Sequence, residues 1–264
     1  MDHAILKEDS MTKALIITGF GINCETEMAA AYQLAGAEST IVHINDIFDG
    51  SCNIQDYYIL NFPGGFSYGD DLGSGKVMAN KLKYKLLPNK NTLLNELKKF
   101  ISAGKFILGV CNGFQFLVRL GLVPNTQLTF QQEATLAQND SGVYEDRWVY
   151  CKVNPNVNSP FLKGIDILPV PVRHGEGKLI LGPKFSEEIR QKNLHALTYC
   201  DAAGNPVTDY PGNPNGSAFQ IAGLSDTTGQ VLGLMPHPEA FLSLYNHPNW
   251  AKLKSDHPEI LLIL

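Results

Sequence analysis

Short apolar runs alternate with amphipathic stretches through the first half of the chain. Ala14–Thr18 (ALIIT) is a β-rich run that ends at Gly19-Phe20-Gly21. Asn23 is placed to cap a helix, Glu25 and Glu27 suit its first turn, and Met28, Ala31, Tyr32 and Ala35 recur at helical spacing before Gly36 stops it. Ser39–Ile44 predicts a second strand. Tyr57–Phe62 predicts a third, cut off by Pro63-Gly64-Gly65. Leu93, Leu97, Phe100 and Ile101 line one helix face, with Gly104 at its C′ position. Phe106–Val110 then reads as strand and Asn112–Leu120 as helix. This alternation predicts parallel βαβ units: an α/β fold with a doubly wound, mostly parallel sheet and ligands at the carboxyl ends of its strands.

From Leu128 onward the texture changes. VYEDRWVYCKV, IDILPVPVRHG, LHALTYCD, AFQIAGL and QVLGLMPH are β runs separated by loops such as NPNVNSP and YPGNPNGS. They are expected to extend the sheet and to add antiparallel strands.

Composition narrows the class. The 264 residues are 44% hydrophobic and 18% charged, enough for a sizeable core. No long linker divides them. The expected organisation is a loose arm over 1–12 and one domain over 13–264, with a C-terminal extension from about 241. A net charge of −5 and no basic block argue against nucleic acid or an anionic membrane surface as partner. No apolar run approaches the roughly 18 residues of a membrane helix, and the polar N-terminus lacks a signal-peptide core. Five scattered cysteines without a C-x-x-C pair suit a reducing, cytoplasmic setting.

Candidate chemistry centres on Gly109-Val110-Cys111-Asn112-Gly113, a G-x-C-x-G between strand and helix. Its serine counterpart is the nucleophile elbow. A sharp turn there pushes the Cys111 side chain outward, and the helix N-terminus favours thiolate. The Asn112 N–H is placed to donate to an oxyanion. The same pentapeptide also suits an inert, buried cysteine. A thiol nucleophile needs a base, and Met235-Pro236-His237-Pro238-Glu239 offers one. His237 and Glu239 share a face of an extended segment, so Glu239 could hold the imidazole while the other ring nitrogen meets Cys111. The Pro63-Gly64-Gly65 turn exposes backbone N–H groups that could complete an oxyanion hole. Cys24, at another strand–helix joint, is a weaker thiol candidate; with no base motif attached it reads as structural or as support for the site from behind.

Rival motifs are incomplete. Gly73-Ser74-Gly75-Lys76-Val77 lacks features of a phosphate loop, and Gly19-Phe20-Gly21 lacks the third glycine of a dinucleotide fingerprint. His174-x-Glu176 and His237-x-Glu239 lack the partner ligands of a zinc enzyme, so no catalytic metal is expected.

Together, GFGINCETE, NFPGGFSYGDDLG, GVCNGFQ, DRWVYCKV, VRHGEGK, NPNGS and VLGLMPHPEA resemble the class I (triad-type) glutamine amidotransferases from about Ala14 to Ala240. Within that class they are most similar to the glutaminase subunits of phosphoribosylformylglycinamidine synthases. The resemblance implies a flavodoxin-like amidotransferase fold. It implies a triad of Cys111, His237 and Glu239, and an oxyanion hole of Asn112, Gly64 and Gly65. Gln115, His174, Gly175 and Glu176 match positions around the bound L-glutamine. No cofactor is implied for this chain; ATP and magnesium belong to a large synthetase subunit that receives the ammonia, in some cases with a small third subunit. Where the family often has Arg after His-Pro-Glu, this chain has Ala240. A stand-alone cysteine hydrolase on the same fold, and a redox-sensing domain without catalysis, are the other readings.

Overall fold

The computed structural model describes residues 11–256. Most of the expected arm and the apolar Ile260–Leu264 end lie outside the described residues.

The parallel half follows the predicted order. β1 (Lys13–Thr18), α1 (Glu25–Leu34), β2 (Glu38–His43), α2 (Ile44–Phe48), β3 (Ile59–Phe62), α3 (Lys76–Tyr84), α4 (Leu93–Ser102), β4 (Phe106–Val110) and α5 (Asn112–Arg119) alternate along the chain. The second half contributes β5 (Ala134–Ala137), β6 (Glu145–Val153), β7 (Ile167–His174), β8 (Lys178–Leu181), α6 (Pro183–Gln191), β9 (His195–Cys200), β10 (Ile221–Ser225), β11 (Val231–Leu234) and α7 (Trp250–Asp256). The main sheet runs β2-β1-β3-β4-β11-β10-β9-β6-β7. The first five strands in that order are parallel, and every pairing from β11 to β7 is antiparallel. β5 and β8 form a separate antiparallel pair. The order β2-β1-β3-β4-β11 is the flavodoxin-like arrangement, whose switch point lies between β1 and β3.

One hydrophobic cluster joins both halves, from Leu15, Ile16 and Ile17 on β1 to Leu197 on β9 and Leu224 on β10. α4 shows why the amphipathic pattern was readable: Leu93, Leu97, Phe100 and Ile101 are all buried, and Thr92 Oγ1 caps it by accepting from the Asn95 N–H.

Four local expectations are corrected. Asn23 does not cap α1; Cys24 occupies the N-cap and makes no capping bond, because the backbone N–H groups of both residues are drawn to Gly64 O. β2 ends one residue early, since His43 Nδ1 accepts from the Asn45 N–H and starts α2 at Ile44. β3 begins at Ile59, after a short turn over Ile54–Asp56. The segment after β11 is not extended: Pro238–Ala240 is a single 3₁₀ turn with His237 at its N-cap. Downstream, Trp148 on β6 holds the segment after that turn through edge-on contacts with Phe241 at 4.8 Å and His247 at 4.6 Å. Trp148 is therefore packing.

Candidate active site

Three loops meet at the β1/β3 switch point. The backbone after β3 is zipped to the backbone after β1: Phe66 N–H donates to Gly21 O at 2.7 Å, Tyr68 N–H to Phe20 O at 2.7 Å, and Asn23 N–H to Gly64 O at 3.2 Å. Side chains would prevent this approach. A Cβ on Gly65, whose φ is +150°, would stand 2.5 Å from Gly21 O.

The third loop is the elbow. Cys111 lies between β4 and α5 with φ 50° and ψ −103°, a conformation that costs a non-glycine residue about 1–3 kcal/mol. Its neighbours hold it there. Cys111 N–H donates to Leu234 O at 2.8 Å. A Cβ on Gly113 would fall 1.8 Å from Phe62 O, so glycine is what lets α5 start directly against β3. Sγ lies 3.5 Å from Arg173 O.

His237 reaches this thiol from the end of β11. Its N–H donates to Pro171 O, and its Nδ1 lies 2.6 Å from Glu239 Oε1, both side chains buried. The 3₁₀ turn brings the carboxylate under the ring, where the sequence suggested an extended strand. Nε2 has no hydrogen-bond partner among the described residues. Burial opposes charge on this ring most strongly, yet the Glu239 carboxylate and the adjacent thiols outweigh it and hold the imidazole pKa well above its ordinary value.

A cavity of about 250 Å³ opens above these groups, lined by Asn23, Cys24, Glu27, Gly65, Phe66, Cys111, Tyr144, Arg173 and His237. Asn112 N–H, in the first turn of α5, and Gly65 N–H have no backbone acceptor among the described residues. Both flank Cys111. Gly64 also makes room for the ring: a Cβ there would sit 2.6 Å from His237 Cε1 and 3.2 Å from Cys24 Sγ.

The remaining predicted positions lie off this cavity. Gln115 is buried and fully engaged, donating to Glu176 O at 2.7 Å and accepting from Asn112 Nδ2 at 2.7 Å. Glu176 Oε2 accepts from Ser74 N–H at 3.0 Å and so ties β7's exit to the loop after β3. Gly175 and Glu176 line a neighbouring cavity of about 270 Å³, separated from the first by Phe66 and Tyr144. His174 is buried behind the site. Its Nδ1 meets Asn139 Oδ1 at 3.1 Å, and burial, with His237 nearby, lowers its pKa to about 3. Asn139, Asn215, Ser217 and Tyr199 continue this buried polar layer, so the NPNGS stretch serves it and is not a solvent loop.

Sequence reasoning passed over Arg173 and Glu27 as cavity residues and gave Cys24 no place in the cavity. Strand alternation held a signal for the first: with His174 turned inward, Arg173 must face the other side of β7. Nothing local marks Cys24, since its neighbour His237 is far along the chain.

The fold and site define a class. Residues 11–262 match the family model described as a CobB/CobQ-like glutamine amidotransferase domain, and the chain belongs to that family. Its relatives are more particular. The phosphoribosylformylglycinamidine synthase subunit PurQ of Methanococcus maripaludis strain C7 is 47% identical over 241 residues, covering 90% of this chain and 85% of that one. The protein of the same name from Dehalococcoides mccartyi is 42% identical, covering 91% and 90%. Among solved structures, a chain in the structure of PurLQS from Thermotoga maritima aligns with a TM-score of 0.68 at 28% identity, covering 92% of this chain and 95% of that one.

Proposed function

We propose that this chain is the glutaminase subunit of a phosphoribosylformylglycinamidine synthase, working in the cytoplasm as one domain. The observation that carries the chemistry is the His237–Glu239 pair, with Nε2 unengaged beside a cysteine on a strained elbow. Cys111 Sγ attacks the side-chain amide carbon of L-glutamine while His237 Nε2 takes the thiol proton. Asn112 N–H and Gly65 N–H receive the developing oxyanion. His237 then protonates departing ammonia, leaving a thioester that water hydrolyses to glutamate. Glu239 holds the ring's orientation and stabilises its charge, the role of the third member of such triads. Gly64, on the same turn as Gly65, also leaves space for the imidazole. Gln115, His174, Gly175 and Glu176 support the pocket wall from behind.

Substrate choice has its own support. Arg173 and Glu27 place opposite charges on one cavity, the complement of an α-carboxylate and an α-ammonium. The ammonia passes to a large synthetase subunit, accompanied by a small third one, a reading supported by the likeness to a chain of the Thermotoga maritima PurLQS structure; ATP and magnesium belong to that synthetase subunit. This chain needs no cofactor in that scheme.

The test is labelling with 6-diazo-5-oxo-norleucine, a glutamine-mimicking electrophile, followed by peptide mapping. One adduct on Cys111, blocked by excess glutamine, is expected, with or without the synthetase subunit. No adduct under either condition would sink the reading. Cys111→Ser should abolish glutamine-dependent synthesis by the assembled complex and spare synthesis from free ammonia.

A further inference from the structure

The two oxyanion donors belong to separate pieces of backbone. Asn112 N–H opens α5, and Gly65 N–H lies on the loop after β3. A preorganised hole needs them at a fixed spacing, so something must register the loop against the helix. Three successive N–H groups beside Gly65 do this. Phe66 and Tyr68 donate to Gly21 O and Phe20 O, each at 2.7 Å, and fix the loop to the turn after β1. Ser67, between them, turns to α5 instead: its N–H donates to the side-chain Oδ1 of Asn112 at 3.2 Å. From there Asn112 Nδ2 donates to Gln115 Oε1 at 2.7 Å, and Gln115 Nε2 donates to Glu176 O at 2.7 Å. Glu176 closes a ring, because its Oε2 accepts from Ser74 N–H at 3.0 Å, further along the same loop.

We propose that the Asn112 side chain is a positioning group for the oxyanion hole: it sets Gly65 N–H against the N–H of Asn112 itself. One residue then supplies one donor and places the other. The chemistry of the chain makes this a rigid strap. It starts at the Ser67 N–H, which can only donate, and ends at the Glu176 C=O, which can only accept. The bonds therefore run in one direction, and turning the Asn112 amide over would lose two of them at once. Ser67, Asn112 and Gln115 are buried, so a lost bond is not replaced by water and each link strengthens the next. The catalytic meaning of the strap rests on the glutaminase function. A donor out of place weakens the tetrahedral state, where negative charge sits on oxygen, more than it weakens the neutral amide of bound glutamine. The effect falls on kcat and leaves KM nearly alone.

The test compares wild type with Asn112→Leu, which keeps the volume and the backbone N–H and removes both amide bonds. In the assembled complex kcat for glutamine should fall about 100-fold, the cost of a hole donor lost or displaced by about 1 Å, with KM within about threefold. An aldehyde analogue of glutamine adds to Cys111 as a thiohemiacetal: Sγ bonds the carbonyl carbon and the thiol proton passes to the oxygen. Its inhibition constant should weaken by the same factor as kcat. Alkylation of Cys111 by iodoacetamide, a displacement that forms no oxyanion, should stay within about threefold of wild type. Deuterium exchange at Ser67 N–H should quicken at least about tenfold. Unchanged kcat with quickened Ser67 exchange would overturn the proposal, and so would an equal loss of kcat and of iodoacetamide reactivity. Gln115→Met is the second variant. It leaves Asn112 its bond to Ser67 and removes its anchor, so kcat should fall less than in Asn112→Leu; a larger fall would overturn the order of the chain. A wild-type complex that hydrolyses no glutamine would refute the glutaminase reading. Ser67 exchange and the stability of the thiohemiacetal that propanal forms on Cys111 would still decide the strap.

Discussion

His237 and His174 are both only 2% exposed, and they are pushed in opposite directions. His237 is held well above the ordinary imidazole pKa, because Glu239 and two thiols outweigh the burial penalty. His174 falls to about 3, because burial disfavours its charge, the nearby His237 adds to that, and its partner Asn139 is neutral and offers no compensation. Burial raises the stakes for a titratable group, and the nearest partner decides the outcome. One histidine is thereby equipped to hold a proton beside a nucleophile. The other is locked neutral as part of the wall.

The sharpest way to break this comparison is to exchange the roles. His237→Asn should lower glutamine turnover by about 10⁴- to 10⁶-fold, the range spanned by losses of single triad members. His174→Asn keeps a donor toward Asn139 Oδ1 and should stay within about tenfold of wild type. Steady-state ammonia release by the assembled complex checks both. Equal losses would mean that His174 takes part in the chemistry. Gly64→Ala comes next, because its Cβ would meet His237 Cε1 at 2.6 Å. A ring displaced by about 1 Å costs about 100-fold. Circular dichroism should report an intact fold, and unchanged turnover would show that the ring has room to move.

The histidines should also part company in stability. His237's raised pKa contributes stability that is complete below the unfolded value near 6.5 and is lost as pH rises through the folded value. For His174 the unfolded chain binds the extra proton between about 6.5 and 3, so its neutral burial costs stability as pH falls through that window. The slope is about 1.4 kcal/mol per pH unit. Urea unfolding of His174→Asn from pH 7 to 5 should be flatter than wild type by about that slope. An unchanged slope would mean that His174 is solvated or charged in the native state.

The two halves of the molecule were unequally legible. Leu93, Leu97, Phe100 and Ile101 announced α4 because a surface helix must bury one stripe, and β1, β3 and β4 stood out as apolar runs between glycine turns. The elbow was readable because Gly109, Cys111 and Gly113 are adjacent in sequence. α6 was missed: Pro183 at its start and Phe185 with Ile189 were its signals, but the dense strand pattern around them overrode so short a helix. α3 was masked by the glycine-lysine run at its start, inspected only for phosphate binding. The buried layer around His174 was illegible for a deeper reason. Asn139, Asn215 and Ser217 read as loop residues, and only tertiary contacts reveal that their polar atoms satisfy one another away from water. Cys24 was set apart for the same reason, since its contact with His237 is set by topology.

The smallest effect is expected from His174's own neighbour. Arg173 and His174 are successive residues at the end of β7 and face opposite sides: one lines the open cavity, the other the buried layer. The Arg173 guanidinium is half exposed and only loosely paired, 3.8 Å from Asp146. It is free to meet the carboxylate of an amino acid, and water weakens that contact. Arg173→Met keeps the aliphatic stem and the backbone carbonyl that lies 3.5 Å from Cys111 Sγ, so the elbow should be undisturbed. The change should raise KM for glutamine about tenfold, about 1.4 kcal/mol, and leave kcat within about twofold. That pattern is the signature of binding lost equally in ground and transition states. A fall in kcat at unchanged KM would place Arg173 with His237, in the chemistry, and would move the boundary between the two faces of β7.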